Sequence, residues 1–185
     1  MSRKILVLKG SPREKGNSSV LADHVAAGAR MSGAQVESIF LQNLSIHPCD
    51  GCDFCVETGA CVIKDDMQPI YPKLLAADAL VFASPIYWFT YSAQLKTCID
   101  RMYAVWNFKK DIFKGKPIGI LLSYGDDDLE SSGGINAVHT FETMVRFLQA
   151  DIAGIVHGSM SDVGDADKRP ELLEQARQLG VRLAG

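Results

Sequence analysis

Five short apolar runs separated by amphipathic stretches constrain this chain most. They are Lys4–Leu8, Val36–Leu41, Ala79–Ala83, Ile118–Ser123 and Ile152–His157. Their length and bounding turn residues read as strands, and Lys4–Leu8 and Ala79–Ala83 read as buried on both faces. Helical spacing is expected between and after them, at about 18–31, 65–77, 92–105, 135–148 and 170–183. Asn17 or Ser18 would cap the first helix, and Asp65 or Asp66 the second, whose first turns hold Pro69 and Pro72. Strand and helix thus alternate five times through 185 residues, with neither repeat nor linker, which predicts one domain over 1–185. Right-handed crossovers turn that alternation into a doubly wound α/β fold. Its parallel sheet is expected to have five strands in the order 2-1-3-4-5, with helices on both faces.

In such a sheet ligands bind beyond the carboxyl ends of the strands. Three loops fall there: residues 10–18, 84–90 and 124–134. Gly10–Ser18 precedes a helix, whose free N–H groups and positive dipole end suit a monoester phosphate. Ser11, Asn17, Ser18 and Ser19 add donors, and Arg13 adds a cation. The loop is neither a Walker loop nor a dinucleotide fingerprint, since both glycine patterns are absent. Ser84–Trp88 combines a proline with two aromatics that can stack on a flat ring or fill a subunit contact. Tyr124–Gly134 has Gly125, Gly133 and Gly134, which let backbone approach a ligand closely. Asp126, Asp127 and Asp128 within it read as a solvated turn.

A loop at about 43–64 follows the second strand and joins the same edge. It carries four of the five cysteines, Cys49, Cys52, Cys55 and Cys61. Thiolates this close repel one another unless a cation draws them together. Three cysteines at x2 spacing followed by a fourth resemble an iron–sulfur ligand run, though the last gap is longer than in ferredoxins and no proline follows Cys61. The same four could make an all-cysteine zinc site. Cys98 reads as a buried apolar residue. His24, His47, His139 and His157 have no nucleophile partner in sequence. Net charge is −3, which gives no reason to expect nucleic acid or an anionic membrane as a partner. Ile5–Leu8 is too short for a signal peptide, and no transmembrane run is present. A cytoplasmic setting follows, where clustered cysteines are metal or redox ligands before they are disulfides.

Ser11-Pro12-Arg13, Gly16-Asn17-Ser18, Ser84-Pro85-Ile86-Tyr87-Trp88, Gln94-Leu95-Lys96 and Asp100-Arg101 together resemble the NADPH-dependent FMN reductase group of flavodoxin-like proteins. The cysteine run and the following Val62–Met67 resemble its iron–sulfur flavoprotein branch. The resemblance implies non-covalent FMN, with Ser11, Arg13, Asn17 and Ser18 on its phosphate and Ser19 close by. It sets the isoalloxazine ring against Pro85, Ile86, Tyr87, Trp88 and Phe89. Ser123, Tyr124, Gly125 and Asp126 would meet the other side or the pyrimidine end. It also implies a [4Fe–4S] cluster on Cys49, Cys52, Cys55 and Cys61, and a homodimer or homotetramer.

The function expected on these grounds is electron transfer between FMN, the cluster and a redox partner such as ferredoxin, with NAD(P)H as a possible donor. Two other readings stay open at this point. One is a cluster-free NAD(P)H-dependent FMN or quinone reductase. The other is a zinc-stapled binding module.

Overall fold

A computed structural model describes residues 2–185. Six strands form one sheet: β1 (Lys4–Lys9), β2 (Gln35–Phe40), β3 (Ala79–Tyr87), β4 (Thr90–Tyr91), β5 (Pro117–Tyr124) and β6 (Asp151–Ser159). The main path runs β2-β1-β3-β5-β6, all parallel, and β4 pairs antiparallel with the end of β3. The expected sheet had five strands, so β4 is a correction. It exists because β3 runs on past Ala83 through Pro85 to Tyr87 and then folds back on itself. The turn is Trp88-Phe89, both at positive φ, 49° and 69°. Positive φ at both central residues matches strand twist in a two-residue hairpin, but it normally selects Asn or Gly.

Among the described residues there are seven helices: α1 (Asn17–Met31), α2 (Phe54–Thr58), α3 (Ile70–Ala76), α4 (Ala93–Arg101), α5 (Tyr103–Phe108), α6 (Gly134–Phe147) and α7 (Pro170–Ala184). Successive strand residues point to opposite faces, so each strand feeds two cores. Leu6, Leu8, Leu80, Phe82, Ile118 and Ile120 pack on the side of α3 to α6. Ile5, Val7, Val81 and Leu121 pack beneath α1 and α7. Full burial of each such side chain contributes about 2–3 kcal/mol. Helices α1 and α7 touch through glycines. A Cβ on Gly28 would lie 2.0 Å from the Arg177 carbonyl oxygen, and one on Gly180 equally close to that of Val25.

Several helix boundaries differ from expectation. Gly16, not Asn17 or Ser18, is the N-cap of α1. The expected helix over 65–77 shortens to α3, because Pro69 and Pro72 favour only its first turn and Asp65 is engaged elsewhere. The single helix expected over 92–105 breaks at Met102 into α4 and α5, and α5 then packs on α2 in the cysteine loop. Among the described residues no helix is long and apolar enough to cross a membrane.

Candidate flavin pocket and cysteine loop

The carboxyl ends of β1, β3, β5 and β6 surround a cavity of about 290 Å³. Ser11, Arg13, Asn17, Pro85, Ile86, Tyr87, Ser123, Tyr124 and Gly125 line it, so nine of the fourteen residues expected there are brought together. Met160, Ser161 and Val163, from the loop after β6, complete the wall. That loop was not expected. The same edge rule, applied to the fifth parallel strand, would have found it. A larger cleft of about 430 Å³ lies at the opposite end of β1 and β2, beside α3, away from these loops.

The phosphate-type loop is held from within. The Ser11 hydroxyl donates to the Arg13 carbonyl at 2.9 Å and accepts the Arg13 N–H at 3.0 Å. A Cβ on Gly16 would fall 2.4 Å from Ser11 Oγ, so only glycine fits beneath that turn. Arg13 itself is exposed. Ser18 and Ser19 are buried in the first turn of α1. Ser19 Oγ reaches the Arg13 carbonyl at 3.4 Å, whereas Ser18 Oγ is buried with no partner among the described residues. A buried hydroxyl without a partner is costly unless a ligand supplies one. It stands where the first-turn N–H groups also lack intrahelical acceptors.

Asn17 does something else. Its Nδ2 donates to the carbonyls of Met160 (3.1 Å) and Asp162 (2.9 Å), and its Oδ1 accepts the Ala166 N–H at 3.1 Å. The side chain therefore ties α1 to the loop after β6 and spends its amide there, leaving only its backbone N–H for an anion. The hairpin is tied as well. Ser92 Oγ donates to the Gly10 carbonyl at 2.6 Å, and Ser92 N–H donates to Ser84 Oγ at 2.9 Å. Trp88 and Phe89 do not line the cavity. Trp88 is 93% exposed, and Phe89 packs against Gly133 and accepts the Asn136 amide at its carbonyl, 3.3 Å away. Asp126 is exposed beyond the cavity wall. Behind the wall, the Tyr124 hydroxyl meets His157 Nδ1 at 3.0 Å. Burial raises the tyrosine and lowers the histidine, so both stay neutral near pH 7.

The cysteine loop is built differently. Cys49 and Cys52 are exposed, Cys55 and Cys61 half-buried, and all four are free thiols. Gly51, Asp53 and Gly59 have positive φ, so the chain turns sharply between successive cysteines. Among the described residues, no three His, Cys, Asp or Glu side chains are gathered to hold a metal ion. The donor set thus has the chemistry of a cluster site, while its thiols are not drawn to a common centre. The base of the loop is firm. Arg101, 1% exposed, forks onto Asp65 at 2.6 and 3.1 Å and donates to the His47 carbonyl at 2.8 Å. Burial opposes the Asp65 charge, but Arg101 and the N–H groups of His47 and Met67 hold it below the usual carboxylate range. Cys98 lies in the core beside Met67, and burial pushes its thiol up to about 12, consistent with an apolar role.

The sequence profile described as NADPH-dependent FMN reductase matches residues 3–159. An iron–sulfur flavoprotein of Archaeoglobus fulgidus is 33% identical over 98% of this chain and 79% of its own length. The solved Trp repressor binding protein of Bacillus subtilis superposes with a TM-score of 0.73 at 28% identity, covering 95% of this chain and 99% of that one. An NAD(P)H:quinone oxidoreductase from Methanothermobacter marburgensis superposes with a TM-score of 0.74 over 100% and 98% of the two chains. Its 22% identity makes it a likeness of fold alone.

Proposed function

The chain belongs to the NADPH-dependent FMN reductase family and is a flavin-dependent oxidoreductase, and from that premise we propose that it is an iron–sulfur flavoprotein accepting electrons from NAD(P)H or a one-electron partner. The observation that carries the flavin site is the cavity itself, where Ser11, Arg13, Gly16 and Asn17 at the N-terminus of α1 face Pro85–Tyr87 and Ser123–Gly125. In this reading Ser18, the first-turn amides of α1 and Arg13 hold the FMN phosphate. Ser11 and Gly16 shape that loop, and Asn17 fixes the helix that bears it. Pro85–Tyr87 and Ser123–Gly125 orient the ring from two sides, and Met160 and Ser161 keep water from its rim. Bound FMN would supply exchange of two electrons as a hydride or of one at a time. No protein acid is required for hydride transfer, which suits a cavity without a His or carboxylate pair.

Cys49, Cys52, Cys55 and Cys61 would hold a [4Fe–4S] cluster, whose chemistry is one-electron transfer. The exposed Trp88, Phe89, Tyr103 and Phe147 would be covered by a second subunit, giving a homodimer or homotetramer. The ungathered thiols favour one competing reading, a cluster-free reductase. Protein purified without oxygen decides between them. Flavin bands with a broad brown shoulder, and iron and sulfide near four per chain, roughly the [4Fe–4S] stoichiometry, support the proposal. Flavin bands alone leave the plain reductase. Zinc without flavin would overturn both.

A further inference from the structure

The largest fully buried side chain is a charged one, Arg101, at the end of α4. Both terminal nitrogens of its guanidinium point at the neck of the cysteine loop, and Nε points at α3. The fork onto Asp65 is joined by His47 O before the cysteines, and Nε donates to the Tyr71 hydroxyl at 3.2 Å. Asp65 in turn accepts the N–H of His47 at 2.9 Å and of Met67 at 3.0 Å. His47 stands two residues before Cys49, and Asp65 lies just past Cys61. One ion pair therefore pins the incoming strand of the loop to the outgoing one. Gln68 donates to the carbonyls of Cys61 and Ile63, and Ser45 N–H donates to Asp66 at 2.7 Å, which extends the same seam. Tyr71 and Cys61 line a common cavity of about 330 Å³.

We propose that Arg101 is the positioning residue of the cysteine loop, latching its two ends through Asp65 and His47 so that the four thiols can close on one centre. The inference deepens the cluster reading and rests on it for its function, but the latch itself stands on geometry. A buried pair of this kind is weak as a source of net stability, because desolvation offsets its attraction. Its value is to fix which segments meet.

The test compares wild type with Arg101→Met and Arg101→Lys. Each cysteine's alkylation rate by N-ethylmaleimide is read by mass spectrometry on reduced, cluster-free protein, with FMN retention as the check on the fold. Reconstitution with ferrous iron and sulfide is then followed by visible absorbance. Arg101→Met is expected to speed labelling of the half-buried Cys55 and Cys61 by about tenfold or more, as a local opening, with flavin retained and the iron–sulfide absorbance lost. Arg101→Lys, which keeps the charge and loses the fork, should fall between. Unchanged labelling overturns the latch. Loss of flavin in both variants also overturns it, because the residue would then serve the whole fold. Faster labelling in a protein whose wild type takes up no iron and sulfide keeps the latch and removes the cluster reading.

Discussion

The flavin-side pocket, at the carboxyl ends of the strands, and the cysteine loop, beside α3 and α5, are prepared in opposite ways. The pocket is finished by the fold. Asn17, Ser92 and Ser84 form buried hydrogen bonds that join four chain segments around the cavity. The cysteine loop is fixed only at its neck, and beyond it the thiols are exposed or half-buried and apart. The difference teaches where binding energy goes. A preorganised pocket commits its ordering cost to folding. A loop that gathers several thiolates must offset their repulsion, so under the proposed cluster its ordering would be completed by metal binding.

The sharpest way to break the comparison is Cys52→Ser. Iron and sulfide are expected to be lost altogether, while flavin content stays at the wild-type level; concurrent loss of flavin would mean the two sites are one. Next comes Asn17→Ala, which strands the Ala166 N–H and the Met160 and Asp162 carbonyls. It should destabilise the protein by about 2–4 kcal/mol in urea unfolding, with cysteine alkylation rates unchanged. Faster alkylation there would show that the loop depends on the pocket. Ser18→Ala is smaller and more discriminating. It should weaken FMN by about tenfold, the worth of one hydrogen bond to a charged group. The flavin-free protein should be no less stable, since the lost hydroxyl had no partner. Equal FMN affinity would take Ser18 out of the phosphate site.

Part of the pocket was legible in the sequence: alternating strands and helices imply a parallel sheet whose strand-following loops share one edge, and the family resemblance supplied the residues on those loops. The loop after β6 is marked in the sequence only by its place after the last parallel strand. Other features gave no local signal. A turn of Trp88 and Phe89 at positive φ is the reverse of the Asn-Gly pattern that announces a hairpin. Met102 divides α4 from α5 without Pro or Gly. Asn17 has the side chain of a cap, yet the same amide serves a loop 143 to 149 residues away. Asp100-Arg101 enters the family resemblance as a motif, but nothing local says that Arg101 is buried. Only the tertiary approach of His47 and Asp65 makes its burial tolerable. The cysteines were visible as a set, but the neck that joins the two ends of their loop was not.

Acid should separate the two regions by the smallest effect and the most specific one. Asp65 has its folded value below the ordinary carboxylate range. The sign follows: the stabilisation it gives is fully present above the unfolded value, about pH 4, and is lost as pH falls through the depressed folded value. The amides that rest on its carboxylate are His47 and Met67. Their hydrogen-exchange protection should therefore drop in that acid window. The amides of Gly10 and Ser92 rest on a carbonyl and a hydroxyl, neither of which titrates there, so they should hold until global unfolding. Asp65→Asn should abolish the pH-dependent gap between the two pairs. If all four amides lost protection together in the wild type, the neck would be no separate device, and the loop and pocket would open as one unit.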